Sequence, residues 1–170
     1  NEDGVVDLKS EYVFAHAYYA SSFDKGGKTS YMEDITREFL DGRNLITSSI
    51  GVKLTDAQRS ELMGYVAIIS ENWQKVIAES VFKYAGSTYK SLVALEDVSN
   101  DDLAKEFGKY MKYWGELKGF SMALQVGKDN IGESATKLNR MIGFGPILMD
   151  ETQIIGIDSK GNYILSLIHI

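Results

Sequence analysis

Ser99-Asn100-Asp101-Asp102-Leu103-Ala104-Lys105-Glu106-Phe107-Gly108-Lys109-Tyr110-Met111-Lys112-Tyr113-Trp114-Gly115-Glu116-Leu117-Lys118-Gly119-Phe120-Ser121-Met122-Ala123-Leu124-Gln125 is the stretch that decides the fold. Leu103, Phe107, Tyr110, Trp114, Leu117, Ser121 and Leu124 recur in alternating steps of four and three. That spacing predicts a helix with one sustained seam against other helices. A second stripe carries Gly115, Gly119 and Ala123, four apart. A helical glycine costs about 1 kcal/mol against alanine, so the stripe predicts close approach of a neighbouring backbone. Ser99 and the two acids after it suit the helix start as cap and dipole partners.

The flanking segments repeat the helical pattern. Ser10 to Phe23 is apolar around most of its circumference, which predicts a short buried helix containing His16. Ser30-Tyr31-Met32-Glu33 reads as a capping box opening a helix toward Ile46, and Thr55-Asp56-Ala57-Gln58 as a second. Behind the second box, Leu62, Val66, Ile69, Trp73, Val76 and Ile77 share one face. The pattern runs on to Leu95, and Gly86-Ser87 is the expected place for a kink or break. A shorter helix is expected from Glu133 to Ile142, stopped by Gly143 and Pro146. Ile154 to Ile164 changes to a strand period around Asp158-Ser159-Lys160-Gly161, a small β-hairpin. The expected class is therefore all-α: a multi-helix bundle with a small C-terminal hairpin.

Composition bounds the chemistry. The 170 residues suffice for one core, with 44% hydrophobic and 25% charged residues. A net charge of −6 without a basic cluster argues against a nucleic-acid partner. No apolar run approaches the roughly 20 residues of a membrane span. With no cysteine, neither a disulfide framework nor a Cys-ligated zinc can form.

Both ends read as those of a fragment. The chain begins at Asn1 without Met, and it is expected to be one truncated helical domain over 1–164. Leu165-Ser166-Leu167-Ile168-His169-Ile170 is what CTG TCT CTT ATA CAC ATC encodes, a transposase-adapter sequence, so 165–170 are expected to be sequencing read-through. His169 then carries no weight, and His16 is the one histidine to consider. Without a histidine or carboxylate partner at helical spacing it reads as a core residue.

Asn1-Glu2-Asp3-Gly4-Val5-Val6-Asp7-Leu8-Lys9-Ser10-Glu11 has the wording of the back of an EF-hand-like calcium loop. Asn1 and Asp3 would be alternate ligands, Gly4 the turn, Val5 a carbonyl ligand and Asp7 a direct or water-mediated one. The closing acid belongs at Ser10, and Glu11 stands one residue late. The plain alternative is an Asp-Gly turn with Asp7 capping a helix. Gly26-Gly27-Lys28-Thr29 suggests a phosphate loop, but the motif needs a glycine at position 22, where Ser22 stands, and a strand before it.

Trp114-Gly115-Glu116-Leu117-Lys118-Gly119-Phe120-Ser121-Met122-Ala123-Leu124-Gln125, followed by Met141-Ile142-Gly143-Phe144-Gly145-Pro146-Ile147-Leu148, resembles a signature of the bacterial family catalogued as domain of unknown function 4856. The opening Asp3-Gly4 to Glu11 region and the Trp73 helix are also similar to it. The resemblance implies the C-terminal half of a longer helical protein, secreted or lipid-anchored in the cell envelope, periplasmic in setting. It further implies kinship with imelysin-like iron-uptake proteins. Their Gly-x-His-x-x-Glu motif is missing here: around His16 stand Phe14 and Tyr19. Glu116 and Lys118, two apart, point to different sides of a helix and read as charges beside a packed seam.

Three functions are thereby expected. The first is a non-catalytic envelope domain, an accessory or binding protein in iron or haem acquisition, with an envelope protein or small ligand as partner. The second is a calcium-stabilised structural domain using Asn1, Asp3, Val5, Asp7 and Glu11. The third is the scaffold half of an imelysin-like metal-dependent hydrolase.

Overall fold

Five helices and one hairpin follow one another in the computed structural model, which describes residues 15–126 and 132–167. The order is α1 (Ala15–Asp24), α2 (Tyr31–Ser48), α3 (Asp56–Glu96), α4 (Asn100–Ala123), α5 (Glu133–Ile142), β1 (Thr152–Ile157) and β2 (Tyr163–Leu167). The class is the all-α bundle with a terminal hairpin that the periodicities predict. The loop at Asn1 to Glu11 lies outside the described residues. Chain contacts group the molecule into two units, 1–76 and 77–170, the division falling inside α3.

In the first unit α1 and α2 pack together, and the first half of α3 lies against α2. Gly42 makes that second contact possible: a Cβ there would meet the Leu62 side chain at 3.3 Å and Tyr65 at 3.6 Å. Phe39 and His16 both pack on Trp73, with ring centroids 5.8 and 5.9 Å away. His16 is half-buried, and that burial lowers its pKa below the usual imidazole value.

The helix starts show two different solutions to unpaired backbone N–H groups. At α3 the capping box closes as expected: Thr55 Oγ1 accepts from Gln58 N–H at 3.2 Å, and Gln58 Oε1 accepts from Thr55 N–H at 2.9 Å. At α2 it does not. The Ser30 hydroxyl donates to Asp34 instead, and the carboxylate of Asp24 accepts from Tyr31 N–H at 2.9 Å and Met32 N–H at 2.6 Å. A full negative charge outcompetes a neutral hydroxyl for those donors. The same arrangement disposes of the Gly26-Gly27-Lys28-Thr29 phosphate reading, because a carboxylate already occupies the helix start that an anion would use.

The helix α3 runs unbroken through Gly86-Ser87, so the expected break there is absent. Neither residue interrupts the ladder: the Ser87 hydroxyl donates to Lys83 O one turn back, and Gly86 is a helical residue with open space beside it.

In the second unit the seam of α4 is the interior one. Tyr110, Leu117 and Ser121 are buried, and Leu103, Phe107, Trp114 and Leu124 are half-buried. Tyr84 of α3 stacks on Phe120, centroids 5.8 Å apart and 9° from parallel, and meets Tyr113 at 6.2 Å. The Ser99 cap forms, its hydroxyl accepting from Asp102 N–H.

The glycine stripe departs from expectation. Nothing lies within 4 Å of a Cβ placed at Gly115 or Gly119, and both are exposed. Tyr110, Leu117 and Ser121 carry the buried side of the helix, which leaves Gly115 and Gly119 to solvent.

The strands pair antiparallel from Thr152↔Leu167 to Ile157↔Tyr163 with an irregularity between Ile154 and Gly156. Their turn is organised by Asp158, whose carboxylate accepts from Lys160 and Asn162 N–H. Of the six residues expected to be read-through, 165–167 complete β2 and 168–170 lie outside the described residues.

Candidate functional site

The site is built on one side of α4. Tyr110, Trp114, Lys118 and Ser121 follow in steps of four, four and three, so they line a single row. Each reaches α5 or the chain between α5 and the hairpin. Ser121 Oγ lies 3.0 Å from Asn139 Oδ1, and Asn139 Nδ2 donates back to Ser121 O at 3.0 Å. Trp114 Nε1 donates to Ile142 O at 3.4 Å, and Lys118 Nζ donates to Gly143 O at 2.7 Å.

Those two carbonyls are at the C-terminal end of α5, where orphan acceptors collect the negative end of the helix dipole. An indole N–H and an ammonium cap them. Burial lowers the Lys118 pKa, the cost of holding an ammonium half inside the protein. The two segments of the family-like signature are thus the two halves of one clamp: the α4 run supplies donors, and Met141 to Leu148 supplies acceptors and the turn. Glu116 is half-buried on a different side of the helix from Lys118.

Beyond Gly143 the chain is held just as closely. Gly143 sits at φ +82°, in the left-handed region suited to glycine. A Cβ on Gly145 would come within 2.6 Å of the Ile154 Cβ, so only glycine fits. Tyr110, 1% exposed, accepts from Ile147 N–H at 2.8 Å through its hydroxyl, and burial raises its pKa. Ile147 also bridges Gln153, and Leu148 N–H donates to Thr152 O at 2.7 Å. Asp150 accepts from the N–H and hydroxyl of Thr152, which lowers its pKa.

This bracing leaves a cavity of about 290 Å³ between the end of α3, the first half of α4 and the 147–151 turn. Leu92, Leu95, Leu103, Phe107, Leu148 and Met149 give it an apolar lining, and the exposed carboxylates Glu96 and Glu151 border it as well. Glu151 is held at φ +65°, the one non-glycine residue with positive φ among the described residues.

Elsewhere the second unit exposes large apolar side chains on α3: Phe82 at 83% and Tyr89 at 69%, seven residues apart. In the first unit a wider groove, about 840 Å³, is lined in part by Asp24, Lys25, Thr29 and Arg37. Its Asp24 is the carboxylate engaged at the start of α2.

The expected calcium ligands Asn1, Asp3, Val5, Asp7 and Glu11 all fall outside the described residues. Among the described residues no group of three His, Cys, Asp or Glu side chains could hold a metal ion, and no helix is long and apolar enough to cross a membrane. Sequence reasoning missed the cavity and the Lys118 contact. The partners of Lys118 and Tyr110 are backbone atoms 25 and 37 residues away, which no local spacing encodes. Comparison with protein-family models, with curated proteins and with solved structures finds no match to this chain.

Proposed function

We propose that this chain is a non-catalytic helical domain of the cell envelope that works by binding, as an accessory in iron or haem acquisition. The observation that carries the reading is the engagement of the α4 row. The groups there with the most obvious capacity for chemistry, Lys118 and Tyr110, are tied to Gly143 O and Ile147 N–H within their own unit. Both contacts go to backbone atoms of the segment after α5, and side chains used in this way position that segment. The envelope setting and the link to iron or haem come from the resemblance of the signature to the family described above.

The test is growth of a strain lacking the gene, with and without an iron chelator. Growth is expected to fail under chelation and to return with the wild-type gene. Equal growth of mutant and parent in both media would remove the iron or haem assignment. Complementation with Lys118→Met separates structure from chemistry. A folded variant is expected to restore growth, and a folded variant that fails would give Lys118 a chemical role.

A further inference from the structure

We propose that the cavity under the 147–151 turn is a docking pocket for a short segment of a partner protein, one presenting an apolar side chain beside a lysine or arginine. This rests on the reading that the chain works by binding, and it names where and what.

Size bounds the occupant. Small-molecule and cofactor sites span about 300–1,000 Å³, and this pocket, at about 290 Å³, stands at the small end. It suits one anchoring side chain. A buried leucine or phenylalanine side chain is the usual anchor at an interface.

Charge selects next. Glu96 and Glu151 border the pocket, with Asp97 and Asp150 next to them in sequence. An acidic border around an apolar floor is complementary to a basic residue next to an apolar one. The first unit has a comparable apolar groove, but Glu38, paired with Arg37, and Arg43 line it together, so its charges select no sign.

Rigidity comes last. Tyr110 holds Ile147, and Asp150 holds Thr152, so the turn that walls the pocket is formed before anything binds. Preorganised walls reduce the ordering cost of association.

The test pans a random dodecapeptide phage library on the full chain and on the Glu96→Lys, Glu151→Lys variant. Adjacent apolar–basic pairs are expected to be enriched on the wild type and lost on the variant. A synthetic peptide of the leading sequence should bind about tenfold more weakly to the variant. Both substitutions are at exposed positions, so the variant should keep its helical circular dichroism. With [13C-methyl]methionine, the peptide should shift the Met149 signal and leave Met32 and Met63, both in the first unit, unmoved. No enrichment, enrichment equal on the variant, or an unmoved Met149 signal overturns the proposal. Self-association of the chain abolished by the same two substitutions also overturns it, in favour of a second copy. The outcome does not depend on iron: equal growth of the deletion strain would remove the iron assignment and leave a peptide result standing.

Discussion

Replacing the exposed glycines of α4 should make the protein more stable. Gly108, Gly115 and Gly119 are interior helical residues, none has a positive φ, and a Cβ at any of them meets nothing within 4 Å. Alanine therefore adds no overlap and removes the entropy that glycine loses on entering a helix. Each replacement is worth about 0.8–1 kcal/mol. The three new methyl groups face solvent without sharing a partner, so the gains should add to roughly 2.5–3 kcal/mol. For a chain of this size that raises Tm by about 5–10 °C. The assay is urea unfolding followed by Trp114 fluorescence in a Trp73→Phe background, with the slope m compared across variants. Gly145→Ala is the control of opposite sign. Its Cβ would lie 2.6 Å from the Ile154 Cβ, and overpacking there should cost about 1–3 kcal/mol. A loss above 1 kcal/mol at Gly115 or Gly119 with m unchanged would mean that the stripe is covered in the folded chain, refuting the assignment of that face.

Three other outcomes are expected. Tyr110→Phe leaves the Ile147 N–H without its acceptor and should cost about 1–3 kcal/mol in the same assay; faster hydrogen exchange at Ile147 would locate the loss. Thr88 is buried and its hydroxyl has no partner among the described residues, so Thr88→Val should gain about 1 kcal/mol in a thermal melt. The His16 pKa is lowered by burial, so just below pH 6.5 the unfolded chain binds more protons there than the folded one. Stability should thus fall as pH drops from 6.5 through the folded pKa, and His16→Phe should flatten that dependence, read by urea midpoints across the range with NMR titration of the ring.

The clamp shows how far a single sequence can be read. Its two segments were legible as a paired signature, and the row Tyr110 to Ser121 as an inward face, because a helix repeats every 3.6 residues and writes its buried side into the spacing. What the row holds was not legible. Hydrogen bonds from Trp114 and Lys118 to the end of α5 depend on where two helices cross. The Asp24 cap was missed for a related reason: Ser30 satisfied the local capping pattern, and the winning acceptor came from the preceding helix across a loop.

By itself the sequence determined the helices, the hairpin and the buried side of α4, since these follow from short-range periodicity and from residues that start or stop a helix. It did not determine the inward side of α2 or α5, where Phe39, Leu40 and Met141 stand exposed. The tertiary structure alone decided that the glycine stripe is open, that Lys118 caps a neighbouring helix and that a pocket remains beneath Leu148. Those are outcomes of which surfaces meet. The same small residue packs against a backbone or faces water according to a helix crossing that no local spacing specifies.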